Sequence, residues 1–265
     1  MRIAIVGGTG TLGRLVVEEA RVRGHQVRVL SRRSPEYPVD LRTGRGLADA
    51  LDGVDVVVDA ANDPSRRPGA TLVEGTRLLL AAEVACRVRH HVAVSVVGAE
   101  RLPGAYTRAK TEQELTVANS PVPWTIVRAT QFHELLVAGF TALARTRLMP
   151  LPAVPLRPVA AAEVAPVVVE AAELTPRGAR LAVVGPEVAD LRRLAAAWRE
   201  ATGSRALPLT VPLPGAMGRA LRAGAATGDD AADATGSADS TGSTGHEAPV
   251  VGVAAFAEWL RGVRV

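Results

Sequence analysis

Cysteine, aromatic residues and long apolar runs are scarce in this chain. Of its 265 residues, one is cysteine (Cys86) and 3% are aromatic. A single cysteine excludes an internal disulfide and suits a reducing compartment, so we expect a cytoplasmic protein. No apolar run of bilayer-spanning length occurs, which argues against a membrane span. The short N-terminal apolar run is interpreted as a strand, not as a signal peptide.

Lysine is almost missing as well. The chain has 31 basic residues and a net charge of +4, and every basic residue except Lys110 is arginine. A guanidinium does not substitute for a compact ammonium, so the one lysine is a candidate functional residue. The arginines are scattered and form no dense run with interleaved aromatics. Direct nucleic-acid binding is therefore not favoured.

The chain does have a glycine-rich turn near its start. The apolar run Ile3–Val6 stops at the sequence GGTGTLG, and a helical pattern follows. A strand, a GxxGxxG turn and a helix in this order are typical of dinucleotide binding, because the glycines allow the turn, a close approach to the diphosphate and tight helix–strand packing. The free N–H groups of the helix then favour phosphate. The expected cofactor contacts are Gly7, Thr9, Gly10, Thr11, Leu12 and Gly13.

The first half of the chain alternates strands and helices, which predicts an α/β fold. The strand candidates are Arg2–Val6, Gln26–Leu30, Val54–Asp59, Val92–Val97 and Trp124–Val127. The helical patterns are Leu12–Arg23, Arg45–Leu51, Pro68–Cys86 and Ala105–Asn119. Apolar strands flanked by helices indicate a doubly wound, mostly parallel Rossmann-type sheet, with the ligand crevice at the carboxyl ends of the strands.

The second half is less regular, and the proline-rich stretch Met149–Pro158 is expected to be an irregular segment. Helices are expected at Phe132–Ala144 and Ala161–Leu174, a strand at Arg180–Val184, and a helix capped by Asp190. We predict an NAD(P)-binding domain over residues 1–150 and a small C-terminal substrate lobe over residues 151–265. Residues 227–248 are small, polar and acidic, and are predicted to be disordered or a mobile loop.

Two arginines indicate the choice of cofactor. Arg32 and Arg33 follow the second strand, where a carboxylate would bind the adenosine ribose and repel a 2′-phosphate. Arginines there favour a phosphate dianion, so NADP(H) is preferred and NAD(H) is the alternative. Asp40 and Leu41 are expected near the adenine. Ala60, Ala61 and Asn62 follow a strand and are expected to line the cofactor through their backbone.

Three residues predict the chemistry. Tyr106 and Lys110 lie four apart on a predicted helix and so share one face, and Ser95 lies near the end of the preceding strand. A phenol can donate a proton to a reduced carbonyl, and a nearby ammonium lowers its pKa. The lysine could also hold the nicotinamide ribose, and the serine could donate a hydrogen bond to the substrate oxygen.

These residues resemble the short-chain dehydrogenase/reductase superfamily. The turn GGTGTLG, the strand-end Ser95 and the Tyr106-Thr-Arg-Ala-Lys110 sequence carry the likeness. Residues 95–134, SVVGAERLPGAYTRAKTEQELTVANSPVPWTIVRATQFHE, resemble its atypical NmrA-like branch. The resemblance implies a Rossmann-type NAD(P)-binding fold, with Ser95, Tyr106 and Lys110 matching the catalytic set. The fourth member often found in this set is an asparagine. It has no secure match in this sequence, and Asn62 is not one either.

Other polar residues are weaker candidates. Gln131 and His133 are expected to line the substrate pocket, with Phe132 beside the nicotinamide. His133 is either a second acid/base or a hydrogen-bonded structural histidine. His90 and His91 are adjacent on a strand and point apart, so no metal site is expected. Cys86 is interpreted as a packing residue and not as a nucleophile.

The sequence thus predicts an NADPH-dependent oxidoreductase acting on a small carbonyl, enone or quinone. The alternative is an NmrA-like redox-sensing regulator that binds NADP(H) without turnover. Under the first hypothesis the partner is a small-molecule substrate. The sequence leaves open whether the chain forms a homo-oligomer.

Overall fold

A computed structural model describes residues 1–65, 67–229 and 248–263. Its centre is an eight-stranded sheet with the strand order β12-β9-β6-β5-β4-β1-β2-β3. These strands are β1 (Arg2–Val6), β2 (Gln26–Ser31), β3 (Tyr37–Pro38), β4 (Val56–Asp59), β5 (His90–Val96), β6 (Trp124–Ala129), β9 (Arg180–Val184) and β12 (Val250–Val251).

Every ladder of this sheet is parallel. Strand β1 lies between β2 and β4, so the strand order reverses at its two sides and opens a crevice at the carboxyl ends. This confirms the predicted doubly wound α/β fold. The strands consist of valine, isoleucine and alanine for most of their length, as expected for a sheet covered on both faces.

Helices cover both faces of the sheet. They are α1 (Thr11–Val22), α2 (Leu47–Leu51), α3 (Gly69–Leu72), α4 (Glu74–Ala85), α5 (Ala105–Ala118), α6 (His133–Ala144), α7 (Ala161–Glu173), α8 (Leu191–Thr202), α9 (Gly215–Arg222) and α10 (Phe256–Gly262). The face covered by α1 and α7 is entirely apolar at its centre. The opposite face, under α2, α4 and α5, has apolar clusters and also buried charged groups.

A third apolar cluster lies outside the large sheet. It joins α6, α8 and α10 through Phe140, Trp198 and Phe256. Two small sheets border it, one of β7 (Leu148–Leu151) with β11 (Leu207–Thr210), the other of β8 (Pro155–Leu156) with β10 (Ala189–Asp190).

The division at residue 150 stays a prediction. Helix α7 and strands β9 and β12 follow this residue, yet they lie in the large sheet and its helix layer. Of the segment predicted to be disordered, residues 230–247 lie outside the described residues. Its beginning is packed against the protein, because Thr227 is 1% exposed and Asp229 pairs with Arg157 at 3.3 Å.

Several element boundaries differ from the sequence prediction. The helical pattern Pro68–Cys86 is two helices, α3 and α4, with a break at Val73. The proline-rich stretch around residue 150 contains two short strands where an irregular segment was expected. The predicted strand Arg180–Val184 and the Asp190 cap are confirmed, and the Asp190 carboxylate accepts the Arg192 N–H at 2.9 Å. Within the described ranges, no helix is long and apolar enough to cross a bilayer.

Candidate functional site

The glycine-rich turn is closely packed where β1 meets α1. Gly7 has a φ of +71°, and its N–H donates to the Leu30 carbonyl at 2.9 Å. A Cβ on Gly13 would lie 2.1 Å from the Gly7 oxygen, so no larger residue fits where α1 meets the turn. No side chain caps α1, and Thr9, Gly10 and Thr11 are exposed. The first N–H groups of the helix are therefore accessible to an anion.

The end of β2 supplies positive charge at the adjacent edge of the crevice. Arg32 and Arg33 directly follow β2, and both are exposed. Asp40 is half-buried, and its carboxylate accepts the Arg42 N–H at 3.0 Å. The side chain of Leu41 is different, because it is buried in the apolar cluster under α2 and α4. Any cofactor contact of Leu41 is therefore restricted to its backbone.

The end of β4 joins the turn to the interior. Asp59 is fully buried, and its Oδ1 accepts the Ala61 N–H at 3.0 Å. The carbonyl of Ala60 lies against Gly7, where an added Cβ would come within 2.8 Å. Asn62 is exposed at the crevice. We call Ala60–Asn62 the cofactor loop, because it borders the glycine-rich turn.

Tyr106 lies in the first turn of α5, close to the cofactor loop. Its ring packs against Leu72 and Val73. Burial raises the pKa of the phenol to about 12, and a hydrogen bond with the Asn62 side chain opposes this only in part. The sequence prediction of a lowered phenol pKa is thus wrong, because the phenolate would lose its hydration. The phenol is held in its protonated form.

Lys110 lies one turn further along α5 and is 3% exposed. Its Nζ donates to the Val94 carbonyl and to Gln113 Oε1, both at 3.0 Å. Burial lowers the pKa of the ammonium, and the charges of Asp59 and Glu114 counteract this. The ammonium of Lys110 is thus hydrogen-bonded within the protein interior.

Ser95 lies in a buried polar layer between the sheet and α5. Its hydroxyl is 3% exposed and close enough to the Glu114 carboxylate to help lower its pKa. Glu114 also binds Arg128 and Arg180. The polar layer consists of Asp59, Thr76, Ser95, Lys110, Gln113, Glu114, Arg128 and Arg180. Ser95 belongs to this layer because it is one residue short of the end of β5 and its side chain points toward α5.

The three predicted pocket residues are placed differently from one another. Gln131 is half-buried and donates to the Ala226 carbonyl at 3.2 Å. Phe132 packs against the apolar cluster of α1 and α7. His133 is 0% exposed and makes edge contacts with Phe256 and Trp259.

The surroundings of His133 favour the structural alternative. Its Nε2 lies 3.1 Å from the Pro158 carbonyl, which fixes a proton on that nitrogen. Burial lowers the pKa of the imidazole. A ring enclosed by two aromatic side chains does not face the crevice, so His133 is a core residue of the C-terminal cluster.

A segment from the C-terminal part crosses the carboxyl ends of three strands. We call Ala225–Gly228 the crossing segment. The guanidinium of Arg101 donates to the Ala225 carbonyl at 3.1 Å, and Gln131 holds Ala226 as described. The residues Ala225, Ala226 and Thr227 are buried. A Cβ on Gly228 would approach Val184 at the end of β9, Val97 just after β5 and Thr130 just after β6.

The remaining candidates lie away from the crevice. His90 bonds Thr125 at 2.9 Å, and His91 bonds Glu83 at 2.8 Å, so the two imidazoles do point apart. Burial raises the pKa of the Cys86 thiol, which makes it a poor nucleophile. In the part of the chain that the structure describes, no three His, Cys, Asp or Glu residues are grouped to hold a metal.

Sequence reasoning missed Gln113 and the hydrogen bond between Gln113 and Asp59, which connects Lys110 to the cofactor loop. A signal was present in α5. Its inward positions include Thr107, Lys110, Gln113 and Glu114, so the helix has no continuous apolar stripe although it packs on a sheet. Such a helix predicts polar partners in the layer beneath it.

The comparisons with known proteins identify the family of the chain. Residues 7–175 match a family described as NAD(P)H-binding. One relative is a (4-alkanoyl-5-oxo-2,5-dihydrofuran-3-yl)methyl phosphate reductase of Streptomyces griseus, 35% identical over 144 residues, which are 49% of this chain and 48% of that protein. Another is the photosystem II assembly factor Ycf39 of Cyanophora paradoxa, 26% identical over 155 residues, 53% of this chain and 48% of that protein. The matched part thus spans about half the length of these curated relatives.

Solved structures share the fold. A short-chain dehydrogenase/reductase superfamily protein of Agrobacterium tumefaciens with bound NAD has a TM-score of 0.68 and 21% identity, covering 81% of this chain and 86% of that one. The UDP-glucose 4-epimerase of Thermus thermophilus in complex with NAD has a TM-score of 0.69 and 19% identity, covering 80% and 86%. At this identity the likeness concerns the fold alone.

Proposed function

Because the chain belongs to the NAD(P)H-binding family, we propose that it is an NADPH-dependent oxidoreductase of the short-chain dehydrogenase/reductase type. Its substrate is a small carbonyl, enone or quinone. The observation that carries the proposal is the position of Tyr106, a protonated phenol bound to Asn62 of the cofactor loop. A proton donor is thus held beside the crevice that receives the dinucleotide.

The residues divide the work as follows. The cofactor supplies a hydride when it is bound. The turn Gly7–Gly13 and the N-terminus of α1 hold its diphosphate, and Arg32 and Arg33 hold the 2′-phosphate. Tyr106 donates its proton to the atom that becomes negative when the substrate accepts the hydride. The phenolate left behind is costly in a buried site, and the ammonium of Lys110 offsets part of this cost.

The size of the substrate follows from the crossing segment. Ala225–Gly228 lies over the ends of β5, β6 and β9, where ligands bind to sheets of this kind, so it reduces the space there. Its residues are buried and hydrogen-bonded to Arg101 and Gln131. This supports a small substrate and speaks against an epimerase acting on nucleotide sugars.

A relative supports the unsaturated carbonyl class. The Streptomyces griseus reductase is named for an oxo-dihydrofuran with an alkanoyl group, which places a ring double bond next to carbonyl groups. We therefore place enones first among the substrates to be tested.

The test is turnover by the purified protein. NADPH oxidation is followed by absorbance with a panel of enones, quinones and aldehydes. Tyr106→Phe should reduce kcat by about 100-fold or more, the usual contribution of a general acid, while the Kd for NADPH is unchanged. Tyr37→Phe is the matched control, because its ring lies under the Arg28 guanidinium and loses only a hydroxyl. It should keep full activity.

The second candidate is a redox-sensing regulator that binds NADP(H) without turnover. The named function of the Ycf39 relatives, assembly of a photosystem, favours a role through a protein partner. Tight NADPH binding together with equal background oxidation by the wild type and Tyr106→Phe would support this candidate and contradict the enzyme.

A further inference from the structure

A continuous chain of hydrogen bonds connects Lys110 with the cofactor loop. Lys110 Nζ donates to Gln113 Oε1 at 3.0 Å. Gln113 Nε2 donates to Asp59 Oδ2 and to Thr76 Oγ1, each at 3.0 Å. The other oxygen of Asp59 accepts the Ala61 N–H at 3.0 Å. The side chains in this chain are buried, and Asp59 and Thr76 are 0% exposed.

The amide of Gln113 suits its position between an ammonium and a carboxylate. Its oxygen can only accept, and it faces Lys110. Its nitrogen can only donate, and it faces Asp59. A carboxylate here would repel Asp59, and an apolar side chain would remove one hydrogen bond from each of the two charges. Both groups of the amide are therefore matched to the charge that each one meets.

Charged groups from several elements surround Lys110. Two carboxylates act on it directly, Asp59 from β4 and Glu114 from α5. Glu114 is in turn neutralised by Arg128 of β6 and Arg180 of β9. Further away, the buried pair of Glu83 and His91 interacts electrostatically with Asp59. Asp59, which Gln113 joins to Lys110, has no such arginine partner among the described residues.

We propose that Gln113 is a positioning residue that fixes the side chain and the charge of Lys110, and that Asp59 links this pair to the cofactor loop. The catalytic meaning of this inference rests on the proposed function, in which Lys110 acts on Tyr106 and the cofactor. The arrangement itself needs neither substrate nor turnover. Gln113 acts only through Lys110 and Asp59, and no contact with the substrate is assigned to it.

The single lysine makes a direct test feasible. Selective ¹⁵N labelling of lysine gives one side-chain ammonium signal in the whole chain, and its titration by NMR reports the pKa of Lys110. Gln113→Met keeps the length of the side chain but removes the acceptor, so the pKa of Lys110 should fall. Gln113→Glu puts a carboxylate in contact with the ammonium, so it should rise. We expect each shift to be about one unit or more.

The opposite signs separate positioning from a merely structural role. A loss of packing or of stability would move both variants in the same direction. Thr111→Val is the matched control, because Thr111 follows Lys110 on α5 and bonds only the Thr107 carbonyl. If Gln113→Met does not fold, Asp59→Asn replaces it, and the pKa of Lys110 should fall because a carboxylate is lost.

Two results would overturn the inference. One is a Lys110 pKa that shifts in the same direction in Gln113→Met and in Gln113→Glu. Where Asp59→Asn replaces Gln113→Met, the same comparison is made with Asp59→Asn. The other is a Lys110 titration in all variants that matches Thr111→Val. Because the titration is measured without substrate, a protein that shows no turnover but opposite shifts contradicts the proposed function alone. Turnover with unchanged titration contradicts this inference alone.

Discussion

The guanidinium of Arg128 forms a bidentate ion pair with the carboxylate of Glu114. Arg128 Nη2 donates to Glu114 Oε2 at 2.6 Å, and Arg128 Nε donates to Glu114 Oε1 at 2.9 Å. The pair joins α5 to β6 and is closed by a third contact from Arg180 at 2.9 Å. Because Glu114 is 3% exposed, this fork fixes the helix that carries Tyr106 and Lys110 against the sheet.

Breaking this pair should destabilise the fold. Glu114→Gln leaves the half-buried Arg128 and Arg180 without this anion, and we expect a loss of about 1–3 kcal/mol in the free energy of unfolding. Burial tends to raise the pKa of Glu114, but the arginines more than offset this and hold it below its usual value. The stabilisation is therefore complete above the unfolded pKa near 4 and is lost as the pH falls through the folded value.

Urea unfolding at pH 7 and at pH 3.5 measures this effect. The difference between the wild type and Glu114→Gln should shrink at the lower pH. A matched control is Glu112→Gln, whose carboxylate is exposed and pairs with Arg77 at 3.3 Å. An exposed pair contributes little, so this variant should stay within about 0.5 kcal/mol of the wild type.

The buried histidine His90 predicts a different pH window. Burial lowers the pKa of its imidazole to about 4. The unfolded chain, with an ordinary histidine near pH 6.5, therefore binds the proton first, and folding stability should fall as the pH drops from about 6.5 toward 4. His90→Gln cannot titrate, so its unfolding free energy should vary less over this window. Equal slopes for both proteins in chemical denaturation would contradict the assignment.

Much of the fold could be predicted from local pattern. The apolar runs and the glycine turn predicted β1, α1 and a mostly parallel sheet, because strand and helix periodicity are local properties. The break at Val73 and the short strands near residue 150 were not predicted, since neither has a strong local signal. The short strands pair with residues distant in the sequence, β7 with β11 and β8 with β10.

The candidate site was predicted only in part. Tyr106 and Lys110 share a helix face as expected, because their spacing is fixed by the helix. The raised phenol pKa and the place of Ser95 were not, because they depend on burial and on Glu114, which comes from another element. The contact of Gln113 with Asp59 joins residues 54 positions apart, so no pattern within one element could show it.

The close approach at Gly13 predicts a steric effect on the cofactor site. An added methyl group would lie 2.1 Å from the Gly7 oxygen, so Gly13→Ala must push α1 away from the turn. We expect a loss of about 1–3 kcal/mol in stability and a large loss of NADPH affinity. Gly24→Ala is a control without this clash, because nothing lies within 4 Å of its Cβ position, although its φ of +81° costs some stability. Calorimetric titration with NADPH should show weaker binding for Gly13→Ala alone.

The exposed pair Arg32 and Arg33 should decide between the two cofactors. If these guanidinium groups bind the 2′-phosphate, their replacement by alanine removes charge-assisted hydrogen bonds worth about 1.5–3 kcal/mol each. The double variant should lose about 100-fold or more in NADPH affinity, while NADH, which has no 2′-phosphate, changes little. Arg193→Ala, which replaces an exposed arginine on α8, controls for the loss of surface charge.

The measurement is a titration of both nucleotides by fluorescence at two salt concentrations, since screening should weaken only the phosphate contact. Equal weakening of NADPH and NADH would contradict the assignment of Arg32 and Arg33, and a wild type that binds NADH more tightly would contradict the NADPH preference itself.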